Sequence, residues 1–288
     1  MKLNALLKTL GFLALAATPV VAGTAPAPKN PIAPAPVNDD LGITASLGYD
    51  TNYVWRGMNF GQHWVRGGVN GSLLLVEGTS LNWDAQYGSL AGDQDTGMPQ
   101  GGGNASFQRA EVGAALARDF GPATLSLGYR YYRNMGVLNT TGGMNDGQEV
   151  QLGLATALGP INIKSSANYD FVNSYYYFDL TASSTIAITD SISVVPYATI
   201  GYGHNMNWQF AKNDGVAGGL WNRNNVTSFT AVTAGLQFPI KLNSRATLTP
   251  YIAINAPLSG MQNLPLSGSP DNYVSTLVYG GVTLSVRF

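Results

Sequence analysis

After residue 40 the chain alternates apolar and polar residues with a period of two, in run after run, and the 3.6-residue spacing of a helix is hard to find. The runs fall near residues 42–55, 65–76, 80–89, 107–120, 123–134, 147–158, 161–172, 175–188, 192–204, 226–241, 246–256 and 273–288. Most hold about 10 to 16 residues, where five or six is usual for a strand of a globular protein. That length suits a tilted strand crossing a bilayer. The pattern predicts an all-β fold over residues 41–288: a transmembrane up-and-down antiparallel β-barrel of twelve strands.

The connections support the same expectation. After the second, fourth, sixth, eighth and tenth runs they are tight: Glu77-Gly78-Thr79, Gly121-Pro122, Gly159-Pro160, Thr189-Asp190-Ser191 and Leu242 to Arg245. After the first, third, fifth, ninth and eleventh they read as long and either polar or glycine-rich, with Asn173-Ser174 the one short connection on that side. Short turns at one end, long loops at the other and an even strand number describe a bacterial outer-membrane barrel with both termini in the periplasm. A soluble β-sandwich would explain neither the strand length nor the one-sided loops.

The faces agree. In the fourth run Ala110, Val112, Ala114 and Leu116 alternate with Arg109, Glu111, Gly113 and Ala115, and the sixth and seventh keep their charges opposite the apolar row in the same way. A Lys or Arg on the lipid face at mid-membrane costs about 2–4 kcal/mol, and the pattern avoids it. Aromatics gather where upward strands should leave the membrane: Tyr49, Tyr53 and Trp55, then Tyr129 and Tyr131, Tyr169 and Phe171, Tyr202, and the run Tyr175 to Phe178. They are expected to form an aromatic girdle.

Charged residues make up 11% of the chain, against about 25% in soluble domains, as expected of a surface that faces something other than water. There is no cysteine, which excludes disulfides and thiolate chemistry. The formal net charge of −1 and the lack of a basic run argue against a nucleic-acid partner. At the N-terminus, Lys2 and Lys8 precede the apolar stretch Leu10 to Ala17, and Val20 and Ala22 fit a small-residue cleavage site. Residues 1–22 are therefore expected to be a Sec signal peptide, since the apolar run is too short to span a bilayer. Without Lys2 and Lys8, the 15 basic residues fall to 13 against 16 acidic, a net of −3. Residues 23–40 are rich in proline and alanine and are expected to form an extended periplasmic spacer.

The stretch Asn52-Tyr53-Val54-Trp55-Arg56-Gly57, followed by "VRGGVNGSL" at residues 65–73, resembles the opening of the TorF-type porins of Gram-negative outer membranes. Trp55 stands where the family has phenylalanine, and Met58-Asn59 replace its Ser-Gln. The resemblance implies a transport role and assigns no residue functions beyond the Arg56-Gly57 turn, where a structural role and a role in selectivity both stay open.

Twelve strands enclose more space than eight, which side chains alone can fill, and less than the sixteen of an open porin. The predicted lumen carries Asp50, Arg66, Asp84, Arg109, Glu111, Arg130, Glu149, Lys164, Asp170, Asp179 and Arg287. Most of these charges are expected to pair across neighbouring strands, because enclosed charges need partners. The expected function is a weakly charge-selective, porin-like channel for passive diffusion of small hydrophilic solutes. A non-conducting surface-binding or structural barrel and an outer-membrane hydrolase are the alternatives.

No catalytic residue is assigned, since His63 and His204 are isolated at the outer end and triads are recognised by geometry. Asp93 and Asp95 are too few for a dedicated metal site, so neither metal nor cofactor is expected. Trp208, Phe210 and Trp221 in residues 206–224 either contact an outside partner or fold inward. The partners expected are lipid, lipopolysaccharide, small solutes and the barrel-assembly machinery. Phe288, which ends the apolar row of the last run, resembles the aromatic signal read by that machinery.

Overall fold

A computed structural model describes residues 41–91, 107–135, 146–206, 226–258 and 276–288. The expected signal peptide, the spacer, Asp93, Asp95, Trp208, Phe210 and Trp221 lie outside these residues. Every regular element among them is a strand: β1 (Ile43–Trp55), β2 (Met58–Val76), β3 (Thr79–Leu90), β4 (Gln108–Asp119), β5 (Ala123–Met135), β6 (Gly147–Leu158), β7 (Ile161–Asp170), β8 (Tyr175–Ser184), β9 (Ile186–Ala187), β10 (Ser193–Met206), β11 (Val226–Gln237), β12 (Ile240–Lys241), β13 (Ala246–Pro257) and β14 (Leu277–Arg287). The two-residue pieces β9 and β12 prolong β8 and β11 past short breaks. The second break falls at Phe238-Pro239, where proline has no N–H to give the ladder. Twelve staves result.

Each stave pairs antiparallel with its sequence neighbour, and β1 also pairs with β14, from Thr44↔Arg287 to Asp50↔Gly281. The sheet closes into a twelve-stranded antiparallel β-barrel with no free edge. Closure satisfies the backbone where hydrocarbon offers no hydrogen bonds. At the end where β1 begins, the turns are tight. Gly121 N donates to Asp119 Oδ1 at 2.7 Å, and Phe120 N to Ala123 O at 2.9 Å.

The outer face is apolar and uncovered. Leu47, Leu127, Leu152 and Val278 are 56–62% exposed, while Ser126, Thr283 and Ser285 on the opposite face are buried. A water-soluble chain would hide such leucines; a lipid-facing wall displays them. Near the other end Tyr169, Tyr176, Phe178, Tyr202 and Phe229 follow one another around β7, β8, β10 and β11, with centroids 4.5–6.3 Å apart. These form the girdle, with Tyr49 and Tyr129 also outward.

Two expectations are corrected here. The first connection is a two-residue turn, not a long loop, because β2 begins at Met58 and Trp55 pairs with Met58. Tyr53, Trp55, Tyr175 and Tyr177 do not belong to the girdle, since they pack inside the barrel.

Candidate functional site

The site is the lumen, and its outer half is occupied by the chain itself. Asn52 pairs with Gln62 but Val54 with Asn59, so β2 carries one extra residue and the hairpin bulges. His63 there has a positive φ of 59°. Above this bulge the hairpin bends into the barrel. Its turn residues, Arg56 at φ 51° and Gly57 at φ 89°, form the type I′ geometry that matches strand twist.

The tip reaches walls on several sides. Asn255 Nδ2 of β13 donates to Gly57 O at 2.9 Å. Arg56 grips Glu149 of β6 with both terminal nitrogens, at 2.7 and 2.8 Å, and also donates to the Tyr175 hydroxyl of β8. Its guanidinium lies 4.5 Å from the ring centroids of Trp55 and Tyr177. A residue other than glycine or asparagine in the left-handed region costs about 1–2 kcal/mol. Charge-assisted bonds to buried Glu149 offset that cost at Arg56.

Behind the tip lies an apolar cluster within the lumen: Met58, Phe60, Trp64, Leu90, Phe107 and Met206, all buried. Tyr53 stacks on Trp64 at 4.2 Å. The Trp64 indole lies against the Gly88 backbone of β3, where any side chain would collide with it. The Arg109 guanidinium of β4 also lies 4.2 Å from the Trp55 ring, which meets Tyr132 of β5 at 5.8 Å. The hairpin thus spans the lumen, from its own strands to β4, β5, β6, β8, β11 and β13.

Below the hairpin several of these charges meet partners. Arg66 donates to Asp50 at 2.8 Å and to Thr283 at 2.9 Å, and the Tyr251 hydroxyl donates to the same carboxylate at 2.8 Å. Arg130 holds Asp84 with two bonds of 2.9 Å and Glu111 with one of 3.0 Å. Arg109 Nε lies 2.6 Å from the other Glu111 oxygen. Asp170 is wholly buried and accepts the amides of Val172 and Asn173, at 3.0 and 2.9 Å, and the Tyr132 hydroxyl, so it fastens the β7–β8 turn. Asp179 accepts the Ser166 hydroxyl. Lys164 lies on the inward row of β7. Arg287 is exposed at the mouth near the tight turns, and Phe288 N donates to Ile43 O at 2.9 Å beside it.

Arg56 was absent from the charges expected in the lumen, because a bulge hides the inward bend from a period-two pattern. The two histidines lie apart on the outer surface. His63 Nδ1 bonds the Tyr49 hydroxyl at 2.7 Å, and the His204 ring lies 6.1 Å from that of Tyr176.

No family model matches the chain, and no curated protein matches it. Solved structures of outer-membrane barrels do. LpxR from Salmonella typhimurium superposes with a TM-score of 0.52 at 7% identity, over 85% of this chain and 100% of that one. The KdgM porin gives 0.47 at 9% identity, over 85% and 99%, and the NanC porin 0.46 at 10%, over 85% and 100%. At such identities the likeness is one of fold.

Proposed function

We propose that the chain is an outer-membrane channel for passive diffusion of small hydrophilic solutes, weakly charge-selective, with the β1–β2 hairpin as its constriction. The observation that carries this is the contrast between the two halves of the lumen. A twelve-stranded wall encloses more space than the eight-stranded one that side chains alone can fill. Here a separate two-stranded element closes the outer half, and beneath it the wall bears polar side chains and paired charges. A barrel meant only as a membrane scaffold gains nothing from a charged interior, which costs desolvation. The resemblance to the TorF-type porins supports the same function, as does the signal-like N-terminus, which would direct the chain through the Sec route to the outer membrane of a Gram-negative cell. No hydrolase is proposed, because both histidines pack against tyrosines on the lipid side, away from the lumen.

Planar-bilayer recording tests the proposal. The wild-type protein is expected to show small unitary currents, and Arg56→Ala larger ones, because the tip loses its hold on Glu149. Silence from both proteins, each shown to be folded by heat-modifiable migration in gels, would leave a surface-binding barrel as the function.

A further inference from the structure

We infer that the inner wall of β7 and β8 holds a binding site for a small organic anion bearing hydroxyl groups, with Lys164 as its cation. The inference deepens the channel proposal by naming a solute class. Four lumen arginines, Arg56, Arg66, Arg109 and Arg130, each lie within 4 Å of a carboxylate. Lys164 shares the inward row of β7 with Ser166 and Asn168, yet among the described residues no carboxylate stands within ion-pair distance of it. The nearest acid by register is Asp179, opposite Ser166 and already accepting that hydroxyl.

The surroundings suit a hydroxylated anion. Lys164 pairs in register with Ala155 on one side and Thr181 on the other, and Thr181 pairs with Thr199. The two threonine hydroxyls bond each other at 2.8 Å, which leaves acceptor lone pairs toward the lumen. Lys164, Ser166, Thr181 and Thr199 are all partly accessible, whereas Tyr132, Glu149 and Tyr175 at the hairpin level are closed off. Solvent therefore reaches Lys164 from within the barrel, below the hairpin. A carboxylate there would receive a charge-assisted hydrogen bond from an ammonium partly stripped of water, while neighbouring hydroxyls meet the solute's own. An uncharged sugar would gain only the second set.

Calorimetric titration of the intact detergent-solubilised protein with gluconate, and with glucose as the uncharged control, tests this. Gluconate is expected to bind and glucose to bind about tenfold more weakly or not at all, with Lys164→Gln about tenfold weaker for gluconate and Lys164→Arg close to wild type. Equal binding of the two solutes, absence of gluconate binding, or a Lys164→Gln protein that binds gluconate as the wild type does would each overturn the site. The titration needs no current. A barrel that conducts without binding gluconate loses this site alone, and one that binds it without conducting loses the channel alone.

Discussion

A methyl group added at residue 57 would lie 2.6 Å from the Ala231 methyl, on a backbone at φ 89° that side chains avoid. Gly57→Ala is therefore expected to cost about 1–2 kcal/mol at the tip, by the left-handed conformation alone, and to lift the hairpin off β11. Larger unitary current with unchanged gel migration of the folded barrel is the outcome to look for; an unaltered current would mean that the tip does not set the constriction. Arg130 acts differently. It joins Asp84 to Glu111, so Arg130→Met leaves Asp84 without its cation, while Glu111 keeps Arg109. Stranding partners of a buried pair costs about 3–5 kcal/mol, and Arg130 is 19% exposed, so the low end of that range is expected as a fall in the thermal midpoint. Adding Asp84→Leu to it should recover much of the loss, since Glu111 keeps Arg109 and no stranded carboxylate remains.

Elements were legible in the sequence wherever the period of two ran unbroken. In β4, Arg109, Glu111, Gly113, Ala115 and Ala117 form the inward row that alternation foretold, and the glycine-proline turns after β4 and β6 lie where expected. The pattern failed at "GMNFGQHW", because one extra residue near Gly61 reverses which side chains point inward. A period-two reading then takes a kinked strand for a polar loop, and assigns Tyr53 and Trp55 to the membrane surface. Alternation also cannot show that a strand leaves the wall, which is why Arg56 and its Glu149 partner were not linked in advance, 93 residues apart. The bulge itself is testable. Deleting Gly61 restores even register, turns the Met58 and Phe60 side chains about, and removes the bend. A barrel that still forms should then conduct more, with Tyr53 off its Trp64 stack and the tryptophan fluorescence shifted to longer wavelength. An unshifted spectrum would mean that packing, not the bulge, bends the hairpin.

For the whole molecule, the lumen charges nearly cancel by position as well as by count. Arg56 with Glu149, Arg66 with Asp50, and Arg109 and Arg130 with Glu111 and Asp84 leave short-range dipoles, whose fields decay within a few ångströms. What acts on a passing ion at longer range is the small remainder outside these pairs, where Lys164 and Arg287 stand against Asp170 and Asp179. Such a remainder is felt only where salt does not screen it: the Debye length is about 30 Å at 0.01 M ionic strength and about 3 Å at 1 M. Reversal potentials across a potassium chloride gradient should then be small in dilute salt and fall close to zero near 1 M. Lys164→Glu should turn the dilute-salt preference toward potassium while the concentrated-salt value stays where it was. Selectivity that is strong and insensitive to salt would require ions to touch desolvated charges directly, and the path would then run through the Arg56 constriction rather than past the open wall of β7.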